Sequence, residues 1–598
     1  MMAFLVQLSF AQEKTVTGTV VEGGFPLPGV SVVVKGTTNG TQTDFDGKYS
    51  IKVNKGETLV YSFIGMNTVS QVVGESTTVN VTMEVEDSQL EEVIVMAYGQ
   101  VKKKNEVTGS AVKVDGETIS KVPLVSADQA LQGRVAGLQM ATTSGSPGSS
   151  QQIRIRGIAG IGGESEPLIV IDGVPMVNSD FGGNSGSSSL SALSSINAND
   201  IESMTVLKDA TATAPYGARG AAGVIVITTK KGKSGATKYS LTTTAGIQNK
   251  AVKGMQMASG AQKEELFLES LYNDFGTNLG FSKEGTFDYF TQNPTNLPSS
   301  ASTAFGLLTD WKNAGSQEYN WGKLVENENA LYYNLDFAAQ GGDEKSSFYS
   351  SLGYNKTESI AFGGDFRRVT GNIAYDRQLS DKVKFNSNIR FANTKQNAIM
   401  ENGAYFSNPM LTKYFMNPWR SPYNADGSYN TNLGGLHNTL YTISNNKEVN
   451  DLTRIIGSFG VTYDITKGLK WNTNANIDFN FAEYTAYKNP IHGDGVAYSG
   501  YAENQVAKNF NYVIQNSLDY AFGFGLHKFN AKALMEYQKN KYTALYGFGE
   551  SIPLGFDMLG NAAANWDASN AYTDWAQLSY LGMLNYNFDG KYLLDASI

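Results

Sequence analysis

The chain of 598 residues contains no cysteine. Disulfides, cysteine-based zinc sites and cysteine nucleophiles are therefore excluded. Histidine is almost as scarce, with only His437, His492 and His527. Scattered along the sequence, these three read as surface or lumen residues rather than metal ligands. Although 41% of the residues are hydrophobic, no apolar run reaches the length of about 18 residues that a helical membrane span requires. Positive charge is also short: 47 Lys and Arg against 56 Asp and Glu leave a net charge of −9, which disfavours nucleic acid as a partner. Mean hydropathy is −0.27, so any membrane signal must be carried by pattern rather than by bulk.

That pattern is present. Leu469–Phe481 alternates without a break: Leu469, Trp471, Thr473, Ala475, Ile477, Phe479 and Phe481 share one face, and Lys470, Asn472, Asn474, Asn476, Asp478 and Asn480 share the other. A period of two is a β-strand with different surroundings on its two sides. One apolar, aromatic face and one asparagine ladder, sustained beyond the usual strand length, fit lipid outside and a wet lumen inside. The same alternation occurs in Val383–Phe391, Tyr333–Gln340 and Arg368–Asp376, with further candidates at Tyr239–Asn249, Phe348–Asn355, Leu452–Ile465, Asn509–Ala521, Leu526–Tyr546, Trp575–Asn587 and Tyr592–Ile598. The template yields about eleven strands.

Connection lengths give an independent signal. Gly341–Lys345, Ser380–Asp381, Thr466–Gly468, Phe522–Gly525 and Phe588–Gly590 are short turns. Between them lie excursions of roughly 80 residues after Asn249, roughly 60 after Asn393 and roughly 20 to 30 after Tyr487 and Tyr546, the alternation expected of an outer-membrane barrel. The 63 Gly, 32 Tyr and 30 Phe suit tight turns and interfacial aromatic girdles. The last segment, Lys591–Ile598, reads as a strand with no turn after it. Since open sheet edges are costly in hydrocarbon, the expectation is the N-terminal part of a longer protein, carrying the first half of a large antiparallel transmembrane barrel.

The start of the chain, residues 1–11, reads as the remnant of a secretory signal, with a small-x-small site at Ser9-Phe10-Ala11 and cleavage before Gln12. Residues 12–84 carry short β runs at Val16–Val21, Val30–Lys35, Tyr49–Val53, Leu59–Phe63 and Val79–Met83, a spacing that predicts a small Ig-like β-sandwich. Pro26–Val30, Lys35–Thr37 and Gly40–Ile51 resemble carboxypeptidase-regulatory-like domains. Asp44-x-Asp46-Gly47 lacks the downstream glutamate of a calcium loop and reads as a hairpin turn.

Residues 85–106 read as a linker, in which the acidic, polar stretch Glu84–Gln89 leads into Leu90–Gly99. Its β-branched run predicts an exposed strand that binds a partner by β-augmentation, although a further sandwich strand would have the same composition. From 107 to 236 come Ala127–Gln139, expected to open as a short helix capped by Ser126, then Ile153–Gly157, Pro167–Met176, Asp200–Ala210 and Tyr216–Lys230. Gly157, Gly173, Gly217, Gly220 and Gly223 permit tight turns in a crowded lumen; none has the strand–glycine–helix context of a nucleotide fold. Together these segments resemble the α/β plug of SusC/RagA-type TonB-dependent transporters, and Glu92, Val93, Ile94, Val95 and Met96 resemble the core of their TonB box. The order sandwich, box, plug, barrel (237–598) is that family's order, and the resemblance extends from Thr15 to the end of the chain.

The resemblance implies an outer-membrane importer with its N-terminal domain in the periplasm. The box would bind TonB, a SusD-like surface lipoprotein would lid the barrel, and the substrate would be an oligosaccharide or a peptide. No cofactor is implied. A siderophore or cobalamin importer without a lid is the alternative; the N-terminal sandwich and the plug details argue against it. A surface adhesin barrel would have no use for the box, and no nucleophile–base pair points to an enzyme. Substrate contacts are not legible. Tyr405, Phe406, Tyr414, Phe415, Trp419 and Tyr423 could stack on sugars but read more readily as interface anchors. Asp494 and Asp557 lie in loops without calcium-ligand spacing.

Overall fold

The computed structural model describes residues 13–63, 66–84, 93–142, 144–158, 166–177, 189–252, 254–401 and 407–598. The chain divides into two compact units, Met1–Val93 and Ile94–Ile598.

The first unit is a sandwich of two four-stranded sheets. In one, Lys14–Glu22 pairs with Phe25–Pro26, Lys48–Val53 and Val81–Thr82; in the other, Ser31–Val34 lies between Gly40–Gln42 and Thr58–Ser62, which in turn pairs with Val69–Val72. Alternate residues of both sheets, among them Val16, Val20, Val32, Ile51 and Leu59, fill the core. Tyr49 and Tyr61 meet there hydroxyl to hydroxyl at 2.6 Å. Asp44 closes the expected turn, its Oδ1 accepting the amides of Asp46 (3.0 Å) and Lys48 (2.8 Å).

The second unit is built on an antiparallel sheet of eleven strands whose order follows the chain. They are Gly235–Gln248, Ala330–Gly342, Ser346–Glu358, Asp365–Gln378, Val383–Asn397, Lys447–Thr466, Leu469–Lys488, Tyr501–Phe524, His527–Glu550, Ala564–Phe588 and Tyr592–Ser597. The two faces separate as the alternation requires. On Leu469–Lys488, Trp471 and Ile477 are 40% and 37% exposed, whereas Asn476, Asp478 and Asn480 are buried. The lumen face is zipped laterally by side-chain amides and hydroxyls: Ser458 donates to Asn476 (2.6 Å), Thr462 to Asn472 (2.7 Å) and Gln538 to Asn511 (2.9 Å). An apolar outer face dissolves in lipid, and a polar inner face satisfies its own hydrogen bonds.

Two features of the connections differ from the sequence reading. The strands around Tyr487 and Tyr546 run on to Lys488 and Glu550 and the strands after them begin early, at Tyr501 and Ala564, so the loops between shrink to 489–500 and 551–563. Beyond the membrane a hairpin needs no lipid face, and its alternation fades while its backbone pairing continues. The excursion 249–329 is a helical subdomain rather than a loop. Helices Gly260–Leu271, Lys283–Gln292 and Ser302–Asn313 contribute Leu268, Leu271, Phe287 and Leu308 to a core of their own. Ser259 and Gln262 form a reciprocal capping box at the start of the first.

Inside the barrel wall sits a five-stranded mixed sheet, in the order Ala111–Asp115, Ile201–Leu207, Val224–Thr229, Leu168–Ile171, Val174–Pro175. Only the pairing of Leu168–Ile171 with Val224–Thr229 is parallel. A separate hairpin joins Leu138–Thr142 to Gln151–Ile155. Gly223 has φ +93, and a Cβ there would lie 2.6 Å from the Ile155 side chain, so the turn before Val224 demands glycine. The expected cap at Ser126 is not made. Ala127–Leu131 is a 3-10 turn, and the Ser126 hydroxyl, buried at the N-cap position, accepts no bond from it; the tighter turn aims its first amides elsewhere. Gly232-Lys233-Ser234 leads from the last plug strand into the first barrel strand and opens no helix, so it is a connector and not a phosphate loop.

Replacing Ile477 by Lys puts a charge on the lipid face, with an expected cost of about 2–4 kcal/mol near the midplane. The lumen-facing Asn474→Lys should cost far less. Urea titration of the heat-modifiable barrel of the full-length protein compares them, and equal losses would contradict the assigned facing.

Candidate gate and coupling site

Strand Val93–Val95 pairs with Val101–Lys103 across a tight turn at Ala97–Gly99. Glu92 lies outside the described residues; Val93, Ile94, Val95 and Met96 are within them. The structure corrects the expectation of a free, exposed strand. Ile94 and Met96 are 2% and 8% exposed and pack with Val170, Leu207, Tyr216, Val224 and Val226 of the plug. Period two puts both on one face, and the plug sheet offers that face an apolar surface. One edge of the strand is taken by its own hairpin. Tyr98, at the turn with φ +51, stacks on Tyr216 at 4.9 Å and donates its amide to the Tyr216 hydroxyl (3.2 Å). Beyond the hairpin, Lys102 pairs with Asp595 (2.7 Å), Thr108 bonds the same carboxylate, and Asn587 donates to Glu106 (2.8 Å).

The plug is fastened to the described wall by buried polar contacts. Asp172 accepts the amide and hydroxyl of Thr229 (2.9 and 2.7 Å) and is ion-paired to Arg390, both side chains being nearly buried. Arg368, 3% exposed, donates to the carbonyls of Val125, Ser194 and Ile196 at 2.8, 2.9 and 3.1 Å. Arg454 makes a buried two-pronged pair with Asp478 (2.9 and 2.6 Å) and reaches the Ala192 carbonyl (3.1 Å). Asn197 and Asn199 both donate to Asp336 at 2.5 Å, and Tyr349 donates to Asp200 at 2.8 Å. At the apex, Glu401 accepts the hydroxyls of Ser144 (2.7 Å) and Ser146, and Gln396 donates to the Pro147 carbonyl (2.8 Å). On the facing strands Arg219 bonds Glu536 (2.7 Å) and Gln538 (2.5 Å). Asp172 and Arg219 lie in motifs visible in the sequence. Their wall partners do not, because strand register across hundreds of residues leaves no local trace.

The long-loop end is also tied together. Histidines 55 positions apart in sequence, His437 and His492, meet edge to face at 5.4 Å. His492 Nε2 accepts the Asn438 amide (2.7 Å), and Asn489 bonds Asn446 (2.6 Å), which sews loop 489–500 to loop 398–446. His437 lies 3.1 Å from the Ser407 hydroxyl and 3.8 Å from Asp494. Burial holds both imidazoles below the usual histidine range; His437 adds to the effect on His492, and Asp494 partly opposes it on His437. Asp557 pairs with Lys447 (3.1 Å), and His527 stacks with Tyr586 near a short turn. Trp419 is neither a lipid anchor nor an open platform: it is buried against Trp311 (5.4 Å) and Phe267 (6.5 Å), packing the helical subdomain onto loop 398–446. Phe415 and Tyr423 are exposed, Tyr414 takes the Lys413 ammonium over its ring, and Tyr405 and Phe406 lie outside the described residues.

Residues 103–224 match the TonB-dependent receptor plug domain, and residues 16–95 match the CarboxypepD_reg-like domain. Over 97% of its length the chain is 31% identical to TonB-dependent receptor P26 of Formosa agariphila, and over 99% it is 30% identical to TonB-dependent receptor SusC of Bacteroides thetaiotaomicron. The chain belongs to the SusC/RagA-type TonB-dependent receptors. It spans about half the length of these relatives, 55% and 56%. The fold of this receptor chain is similar to that of the RagAB peptide transporter, with a TM-score of 0.68 and 22% identity, over 82% of this chain and 55% of that one.

Arg390→Ala leaves the Asp172 carboxylate buried without its cation. The plug contact should weaken by about 3–5 kcal/mol, read as faster protease cleavage in 166–177 of the full-length receptor; unchanged cleavage would show that the pair does not hold the plug. The histidine seam favours neutral imidazoles. Its stabilisation is complete above about pH 6.5 and is lost as the pH falls towards the depressed folded values. Amides of helix Thr439–Asn445 should exchange faster at pH 5 than at pH 7.5 once intrinsic rates are corrected, and equal protection would refute the seam.

Proposed function

We propose that this receptor imports oligosaccharides or peptides across the outer membrane, using work delivered by TonB through Glu92–Met96. The observation that carries this reading is the box strand Val93–Val95, docked on the plug through Ile94 and Met96 at the short-turn end of the lumen. A wall packed against a plug by buried arginines does not pass solute by diffusion. Opening it requires work, and a β-strand at the periplasmic end is a handle that a partner can take by backbone pairing.

The short turns at 343–345, 379–382, 467–468, 525–526 and 589–591 lie at the periplasmic end, and 249–329 and 398–446 face outward. A SusD-like surface lipoprotein acts as the lid over these outer elements. The name of the similar RagAB transporter favours peptides, and the asparagine-rich lumen suits the hydroxyls of a glycan equally well.

Deleting Glu92–Met96 from the full-length protein should abolish energised uptake while leaving the heat-modifiable barrel in the outer membrane. Uptake that persists with the barrel intact would remove TonB from the mechanism.

A further inference from the structure

The lipid face of the wall is not uniform. Strand register sets Trp471, Leu518, Ala533, Gly582 and Ile598 side by side in one row. Direct pairing joins the first four, and reciprocal backbone bonds of 2.8 and 2.9 Å join Gly582 to Ile598. Two bulky side chains are thus followed by a methyl group and a hydrogen, and then by a bulky side chain again. One row nearer the long loops, Met535 and Tyr580 stand opposite each other. The result is a cavity of about 660 Å³ on the outer surface of the wall. Ala533 and Gly582 floor it, Trp471 and Leu518 form one side, and Met535 and Tyr580 close its long-loop end.

Towards the short turns the depression stays open. Its floor continues over Ala531, which lies between Tyr520 and Leu584, and ends on a terrace of rings. Phe522 stacks on Phe529 (4.9 Å), Phe529 meets Tyr586 (4.9 Å), and His527 meets Phe588 (4.8 Å). His527 Nδ1 lies 2.8 Å from the Tyr586 hydroxyl. Rings with polar tips settle at the level of lipid headgroups. From His527 to Ala533 the strand advances six residues, which at about 3.4 Å per residue and a tilt of about 45° is roughly 14 Å of depth. That is about half of a hydrocarbon core ~30 Å thick, the reach of one acyl chain whose headgroup rests on the terrace.

We propose that this groove holds one phospholipid of the periplasmic leaflet as a resident ligand. An acyl chain lies over Ala531, Ala533 and Gly582, and the headgroup sits on the terrace around His527 and Tyr586. The groove is continuous with the lipid-facing surface, so lipid is the molecule that reaches it. A chain lying in it touches protein on its sides as well as beneath, and each added contact slows its exchange with the lipid around it. The direction of the opening selects the leaflet. Lipid A of the outer leaflet would have to enter past Met535 and Tyr580, which close that end. The site does not depend on which solute the receptor imports.

The test uses full-length receptor purified from outer membranes, passed through gel filtration in mild detergent, with co-eluting lipids extracted and counted by mass spectrometry. Ala533→Leu and Gly582→Leu fill the groove from two different strands. Ala475→Leu adds the same bulk to the lipid face beside Ile514, outside the groove. The expected result is about one phospholipid per receptor in the wild type and in Ala475→Leu, with a roughly tenfold loss in the two filled variants. Heat modifiability shows that each variant carries a folded barrel. Equal retention by the wild type and the filled variants overturns the proposal. Lipid A in place of phospholipid, or no retained lipid in the wild type, overturns it as well. A second measurement needs no filled variant. Receptor reconstituted in vesicles of phosphatidylethanolamine and phosphatidylglycerol with brominated acyl chains is returned to detergent, and Trp471 emission is read as the difference from Trp471→Phe. Quenching of Trp471 should persist, and full recovery of its emission removes the site.

Discussion

A strand in hydrocarbon has no water to accept its amides or donate to its carbonyls, so every backbone polar group must be paired with a neighbouring strand. The rest of this structure depends on that constraint. It forces the eleven strands into one antiparallel meander in chain order. The meander then forces side chains to alternate between lipid and lumen, and Trp471 and Ile477 point away from Asn476, Asp478 and Asn480. A sheet curved around a polar interior needs polar contents, which the plug supplies through carbonyls, carboxylates and serine hydroxyls at its surface.

Burying that polar interface has a thermodynamic character different from that of a hydrophobic core. Arg368 satisfies three plug carbonyls at once, and Arg454 is neutralised by Asp478 before it reaches the plug. Each contact is directional, so the plug has one register in the barrel rather than a range of greasy near-misses. The box hairpin combines both kinds of contact, two buried apolar side chains and an aromatic stack on the plug with the Lys102–Asp595 ion pair to the wall.

Much of this was legible in the sequence because membrane barrels write their facing into a period of two. All eleven strands, the parity of the connections and the Asp44 turn follow from local pattern. Strand ends were not legible: past the membrane the hairpins at Lys488 and Glu550 keep pairing without a lipid face to mark them. The helical subdomain between Asn249 and Ala330 was read as a loop because its helices are short and only weakly amphipathic. The box was read as free because its charged flank suggested exposure, whereas Ile94 and Met96 had an apolar surface waiting on the plug. The His437–His492 contact and the arginine contacts depend on residues far apart in sequence, and neither composition nor spacing carries that information.

Gly148 lies at the plug apex with φ +82, and even a methyl group there would come within 2.4 Å of the Phe366 ring on the wall. Phe366, Leu190 and Ala192 share one buried cluster with Leu452 and Ala482 of the later strands. A fit of this closeness couples the two surfaces: any side chain added at the plug apex has to displace the Phe366 ring, and with it a cluster shared by strands on either side.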